Sequence, residues 1–262
     1  MLIRANGVDI HCEVEGNGPC VVLSHSLACS LEMWDEQVRA LRSHFRVLRY
    51  DVRGHGASSV PPAPYTLGQL TDDLGGLLTT VGVDRAHFVG ISLGGMIGQV
   101  FALKFPRRLS SLVLCDTTSR YPDGTDRIWR ERIDLVRAQG MEAVVAPTLA
   151  RWFTPGFRAQ RPEVLDRVGR MIRDTPVEGY AGCGAAVPTI NTTDRLPEIS
   201  CSTLVIVGDQ DEGTSPAMAE TIQRGIRGAE LQVISSASHL SSLEQPEAFN
   251  RVLTDFLDRV CA

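Results

Sequence analysis

Two hydrophobic rhythms alternate along the chain. Short runs rich in Val, Ile, Leu and Phe are followed by longer stretches in which apolar residues recur every three or four positions, the pattern of a mostly parallel sheet covered by helices. The first runs predict strands at Leu2–Ala5 and Val8–Val14, joined at Asn6-Gly7, a dipeptide suited to a tight hairpin turn. Further strands are predicted at Cys20–Ser24, Phe45–Tyr50, Ala86–Ile91, Ser111–Cys115, Thr203–Val207 and Leu231–Ile234, each followed by a loop and a helix. Leu67, Leu70, Leu74, Leu77, Leu78 and Val81 fall at helical spacing with Asp72 and Asp73 on the other face, which reads as an amphipathic cover helix. Phe249, Val252, Leu253, Phe256 and Leu257 mark a last helix over Pro246–Val260.

The rhythm breaks between Thr118 and Ser200, where several short helices and no convincing strand are predicted. This stretch reads as an inserted helical cap over residues 118–200, with 1–117 and 201–262 forming the core. Residues 118–199 carry 12 arginines against 11 acidic residues, so this segment is slightly positive on an otherwise negative chain.

The 262 residues are 43% hydrophobic and 22% charged, enough apolar surface for a sizeable core and outside the disordered class. The net charge of -5 is spread without a block of one sign, which argues against a nucleic-acid partner. Seven cysteines form an odd set with no C-x-x-C pair. That is the pattern of reduced thiols in a cytoplasmic protein, not of a disulfide scaffold or a metal site. The first residues lack the basic and apolar regions of a secretory signal, and no apolar run approaches the roughly 18 to 20 residues that span a bilayer, so no membrane partner is expected. Nothing in the pattern bears on oligomeric state.

The chemistry concentrates where a predicted strand meets a predicted helix, at Gly90-Ile91-Ser92-Leu93-Gly94. A serine on such a G-x-S-x-G bend points its hydroxyl out of the sheet, and a side chain at either glycine would meet neighbouring backbone. The helix that follows aims free N–H groups and the positive end of its dipole at the same spot, which favours a developing oxyanion. Neither G-x-G-x-x-G nor G-x-x-x-x-G-K-[ST] occurs, which argues against a nucleotide.

A serine nucleophile needs a base, and the base needs a group that orients it. Two late loops supply both: Gly208-Asp209-Gln210-Asp211 follows the run ending at Val207, and Ser238-His239-Leu240 follows the run ending at Ile234. Both lie at the carboxyl ends of strands, where sites assemble in open α/β sheets. Asp116, after an earlier strand, is an alternative acid. Of the six histidines, His239 is favoured by its place; His25 and His55 read as structural, and His11, His44 and His87 as surface or strand-end residues.

The order Ser92, Asp211, His239 resembles the triad of the α/β-hydrolases, and the resemblance runs over nearly the whole chain. It implies the α/β-hydrolase fold, with a mostly parallel sheet of about eight strands flanked by helices and an inserted helical cap. Similar proteins carry their acid at the last position of G-x-x-D, which selects Asp211 over Asp209. By the same similarity the oxyanion donors are the backbone N–H groups of Leu93 and of Leu27, the latter in His25-Ser26-Leu27 where H-G-x is commoner. Asp51-Val52-Arg53-Gly54-His55-Gly56 resembles the D-x-R-G-x-G loop of this fold.

Within the superfamily the chain resembles bacterial 3-oxoadipate enol-lactonases. The residues that carry this are Ser26-Leu27 with Met33-Trp34, Phe45 to Asp51, Trp129 with Arg132, Arg151-Trp152-Phe153, Glu178-Gly179-Tyr180, and His239-Leu240-Ser241 with Glu244-Gln245-Pro246. The resemblance implies a cytoplasmic serine hydrolase of aromatic-compound catabolism that opens the ring ester of a small enol-lactone through an acyl-serine, with no metal and no organic cofactor. Such a substrate carries a carboxylate besides its ester. Trp129, Arg132 and Trp152 are the candidates to bind it, because an arginine fork matches a carboxylate. Departures at His25, Ala28 and Glu212-Gly213 bear on the substrate and leave open a carboxylesterase of small alkyl or aryl esters. A non-enzymatic small-molecule receptor on the same fold and a perhydrolase are the more distant alternatives.

Overall fold

Eight strands form one sheet in the computed structural model, which describes residues Met1–Cys261. They are β1 (Leu2–Ala5), β2 (Val8–Glu15), β3 (Cys20–Ser24), β4 (Arg46–Tyr50), β5 (Ala86–Ile91), β6 (Leu109–Cys115), β7 (Ser202–Gly208) and β8 (Glu230–Ile234). Their spatial order is β1-β2-β4-β3-β5-β6-β7-β8. β2 runs antiparallel to β1 and β4, and the remaining pairs are parallel. Every predicted strand is present, with ends that differ by at most two residues. All six residues of β5 are buried, because a parallel sheet is covered on both faces.

The core helices are α1 (Asp35–Leu41), α2 (Leu67–Thr80) and α3 (Leu93–Lys104). Between β6 and β7 run α4 (Thr125–Gln139), α5 (Glu142–Trp152), α6 (Pro155–Gln160), α7 (Pro162–Asp174) and α8 (Val177–Ala186). The chain closes with α9 (Pro216–Gly225), α10 (Ser241–Glu244) and α11 (Pro246–Cys261). α2 and α3 pack on each other, as do α1 and α11, α4 and α8, and α5 and α7. Among the described residues no strand lies between β6 and β7; a single bridge joins Arg120 and Asn191. No helix among them is long and apolar enough to cross a membrane.

α2 starts at a capping box. The Thr66 hydroxyl accepts the Gln69 N–H (3.1 Å), and the Gln69 side chain accepts the Thr66 N–H (2.9 Å), which satisfies two otherwise unpaired donors. Its two aspartates part company. Asp72 faces outward and pairs with Lys104, as the helical spacing predicts, but Asp73 is buried. Both of its oxygens take the Arg53 guanidinium (2.5 Å each), and one also accepts the Asn6 amide (2.9 Å) from the β1–β2 turn. Periodicity places Asp73 on the polar face; a buried arginine from a distant loop draws it inward.

That ion pair fixes the loop after β4 against α2, and the same loop meets the helical segment between β6 and β7. A Cβ on Gly179 of α8 would lie 1.8 Å from the Gly54 carbonyl oxygen, so two glycines allow the backbones to touch. Asp73→Ala strands the buried Arg53 charge. The expected loss is about 3–5 kcal/mol of unfolding free energy, read from the urea midpoint; a change under about 1 kcal/mol would show that the pair holds nothing.

Candidate active site

Ser92 sits at the turn between β5 and α3 with φ 54° and ψ -114°, a strained conformation for a residue with a side chain. Three absent side chains make the turn possible. A Cβ on Gly90 would fall 2.4 Å from the Gly94 carbonyl, one on Gly94 2.1 Å from the Ser24 carbonyl oxygen, and one on Gly95 2.7 Å from Thr117. The turn is fastened from below, where the Ser92 N–H donates to the Cys115 carbonyl (2.9 Å) and the Thr117 hydroxyl to the Ser92 carbonyl (2.8 Å).

The structure brings Ser92, His239 and Asp211 into one chain of hydrogen bonds. Ser92 Oγ donates to His239 Nε2 at 3.0 Å, and His239 Nδ1 donates to Asp211 Oδ2 at 2.8 Å. Asp211 is held in turn by the N–H groups of Gly213 (2.8 Å) and Thr214 (3.0 Å) on one oxygen and the Thr214 hydroxyl (2.7 Å) on the other. Burial pushes the Asp211 carboxyl up, but the His239 charge and these hydrogen bonds outweigh it and hold the group well below the usual carboxylate range. Burial pushes His239 down, and the neighbouring Asp211 carboxylate more than reverses this, so its pKa stands above that of an ordinary histidine. The unusual Glu212-Gly213 segment thus serves the acid directly through the Gly213 N–H.

Asp116 is not the acid paired to His239, which resolves the alternative. It is fully buried with φ 42°, and its carboxyl oxygens accept the Gly208 N–H (2.9 Å), the Ser241 N–H (3.3 Å) and the Ser241 hydroxyl (2.6 Å). It therefore ties the acid loop to the base loop. Burial, then the nearby Asp211 charge, raises its pKa to about 8 despite the opposing His239, Ser241 and Gly208. Asp209 is an exposed turn residue that caps the Ala237 N–H (3.2 Å). Glu244, buried, is a second tie: it accepts the Ser238 N–H (2.8 Å), the Thr154 N–H (2.9 Å) and the Thr154 hydroxyl, joining the base loop to the segment between α5 and α6.

The Leu27 and Leu93 N–H groups have no hydrogen-bond acceptor among the described residues, as oxyanion donors require. Leu93 opens α3 immediately after Ser92. Leu27 lies in the loop after β3, followed by Ala28 at φ 59°, a left-handed conformation that favours glycine.

A cavity of about 280 Å³ opens above Ser92 and His239, in the size range of a small ligand. Leu27, Trp129, Arg132 and Trp152 line it together with both of them. Trp152 lies beside the His239 ring with centroids 6.0 Å apart, and Arg132 stacks over Trp129 at 5.1 Å. Sequence reasoning missed Arg151, Tyr121 and Tyr180, which line the same cavity. Of the twelve arginines between β6 and β7, eight pair with acids; Arg132, Arg151, Arg158 and Arg170 make no ion pair among the described residues, and of these four Arg132 and Arg151 line the cavity. Burial, then the neighbouring Arg132 charge, lowers the Arg151 pKa. The signal that could have found Arg151 was its place next to Trp152 in the resemblance. His87, expected near the surface or a strand end, is buried in β5 against Phe45 and hydrogen-bonded to Ser111 (2.9 Å).

Removing the tie between the two loops should be measurable without any substrate. Asp116→Ala leaves the buried Gly208 and Ser241 amides without an acceptor and should cost about 2–5 kcal/mol in urea unfolding, with Asp116→Asn costing less. Equal stability of the alanine variant and the parent would contradict this role.

Comparison with known proteins bears on the fold and the family. The sequence profile of the alpha/beta hydrolase fold matches residues 19–246. The chain is 36% identical to 3-oxoadipate enol-lactonase 2 of Acinetobacter baylyi, over 94% of this chain and 91% of that protein. It superposes on the crystal structure of the enol-lactonase from Burkholderia xenovorans LB400 with a TM-score of 0.94 and 38% identity, over 98% of this chain and all of the other. A thermophilic esterase from Thermogutta terrifontis, solved with malate bound, gives a TM-score of 0.95 at 31% identity over 99% of both chains. Strand order, serine turn and sequence similarity thus lead to one conclusion: the chain belongs to the α/β-hydrolase fold family.

Proposed function

We propose that the protein is a serine hydrolase that opens the ring ester of a small enol-lactone carrying a carboxylate, of which 3-oxoadipate enol-lactone is the expected example. The observation that carries this reading is the Ser92–His239–Asp211 relay beneath a small cavity holding two arginines without ion-pair partners. The enol-lactonase relatives support it. Residues 118–200 act as the cap that closes over the substrate and supplies both arginines.

In the proposed reaction His239 takes the Ser92 proton as the hydroxyl attacks the lactone carbonyl, and Asp211 stabilises the resulting imidazolium. The oxyanion meets the N–H groups of Leu27 and Leu93, each worth on the order of 100- to 1,000-fold in rate. Collapse of the tetrahedral adduct expels the ring oxygen, which takes the proton from His239 as it leaves to give an enol, and the enol tautomerises to a ketone. Water, deprotonated by the same imidazole, then attacks the acyl-serine and restores the hydroxyl. Arg132 and Arg151 bind the remote carboxylate, and Trp129 and Trp152 wall the apolar part of the ring. His239 carries the proton in both acylation and deacylation, and the later enol-to-ketone shift exchanges its proton with water.

The second reading, a carboxylesterase of small esters, is supported by the modest cavity and by the similarity to the Thermogutta esterase. A substrate panel separates the two. The enol-lactone should exceed an aryl acetate in kcat/KM by about 10- to 100-fold, the discrimination a charge-assisted hydrogen bond of about 1.5–3 kcal/mol supplies. Arg132→Ala or Arg151→Ala should remove that advantage through KM while sparing the aryl ester, and Ser92→Ala should abolish both activities. Equal constants for the two substrates would favour the esterase.

The raised pKa of His239 gives a second expectation. The base works when neutral, so kcat/KM should fall with decreasing pH around a midpoint above 6.5. In Asp211→Asn the larger influences opposing burial are gone and only that of Asp116 remains, so the midpoint should drop below that value while kcat falls by about 10,000-fold. An unmoved midpoint would contradict the pairing.

A further inference from the structure

Two buried histidines outside the proposed relay face each other behind the Leu27 loop. His25 and His55 are both fully buried, with ring centroids 5.3 Å apart. His25 belongs to the loop after β3, and its Nε2 accepts the Val52 N–H of the loop after β4 at 2.9 Å. His55 belongs to the loop after β4, and its Nε2 accepts the Ala28 N–H of the loop after β3 at 3.0 Å. Each ring donates its Nδ1–H to a carbonyl near it in its own loop, Ser26 at 2.7 Å and Arg53 at 3.3 Å. The contacts are reciprocal: each loop lends an imidazole to the backbone of the other.

We infer that His25 and His55 are positioning residues that form a cross-brace between the two loops and hold the Leu27 N–H where the oxyanion develops. The inference rests on the preceding reading that Leu27 supplies an oxyanion donor. Its force comes from Ala28. A non-glycine residue at φ 59° costs on the order of 1–2 kcal/mol, and a free loop would relax toward negative φ and turn the adjacent Leu27–Ala28 peptide. The hydrogen bond from the Ala28 N–H to His55 opposes that relaxation on the side next to Leu27. Accepting at Nε2 requires neutral rings, and burial keeps them so, with His55 pushed down to about 3 by desolvation and then by His25.

The brace is itself anchored. Asp51, which opens the His55 loop, accepts the Leu31 N–H (2.7 Å) and the Ala57 N–H (3.0 Å), and Arg53 is locked to Asp73. The Cys183 thiol of α8 donates to the Arg53 carbonyl at 3.6 Å, so the helical segment between β6 and β7 rests on the same loop.

The test uses p-nitrophenyl acetate, so that it does not depend on the lactone being the natural substrate. His55→Leu removes the acceptor and should lower kcat by about 10- to 100-fold, part of what one oxyanion donor contributes, with KM changed less than about threefold. His55→Gln, whose amide oxygen reaches the Nε2 position, should restore most of kcat. Amide exchange at Ala28 should accelerate in the leucine variant and return toward the parent rate in the glutamine variant. A leucine variant with parental kcat and parental Ala28 exchange, or a glutamine variant as impaired as the leucine one, would overturn the proposal. The unaltered protein supplies a check that survives a failure of the variant to fold. Nitrogen NMR should show both rings protonated at Nδ1 with a coupling across the hydrogen bond from Ala28 N to His55 Nε2, and a proton on Nε2 of either ring would equally overturn it. An enol-lactone that is not hydrolysed would refute the substrate reading alone and leave these comparisons intact.

Discussion

The structure turns on one imidazole held between a hydroxyl and a carboxylate from opposite directions. His239 has a single ring whose two nitrogens must meet Ser92 and Asp211 at once, so the ends of β5, β7 and β8 have to converge to within hydrogen-bonding distance. Much of the local architecture serves that convergence. Glycines beneath Ser92 permit the turn, the Asp211 loop spends three donors on one carboxylate, and Asp116 and Glu244 tether the base loop from below and from the side. A displacement of about 1 Å at any of these points would be felt in the geometry of reaction more than in the fold.

Two kinds of buried charge divide the labour. Asp211 and His239 form a pair whose members stabilise each other's charged forms, the arrangement a developing imidazolium requires. Arg53 and Asp73 form another, remote from the cavity, that fixes the loop on which His55 stands. Arg132 and Arg151 stand apart from both. Both guanidinium groups line the cavity, which Glu212 also borders, without an ion pair among the described residues, and in the proposed reaction the carboxylate of the substrate pairs with them. In the proposed reaction the two tasks fall to different parts of the chain, the chemistry to strand ends and the recognition to helices between β6 and β7.

Most of the fold was legible because strand and helix periodicity records which faces are buried. The serine turn was legible because its glycines have a steric reason that holds locally. Residues whose partners lie far along the chain were not. Asp73 looks like a surface residue until Arg53 is seen against it, and Asp116 looks like a spare acid until it is found binding loops more than ninety residues away. Arg151 carries no periodic or spacing signal that distinguishes it from the paired arginines around it. His55 was legible as structural, but the group it holds was not, since the Ala28 amide is 27 positions distant and lacks any side-chain signature.

The claim on which everything else stands is that Ser92 is an activated nucleophile. It is tested most directly by treating the unaltered protein with a fluorophosphonate and measuring its intact mass and the modified peptide. The account predicts one adduct per chain, located on Ser92, because among the described residues that hydroxyl alone combines an imidazole partner, flanking N–H donors without acceptors and a place in the cavity. An unreacted protein, or an adduct on another residue, would contradict it.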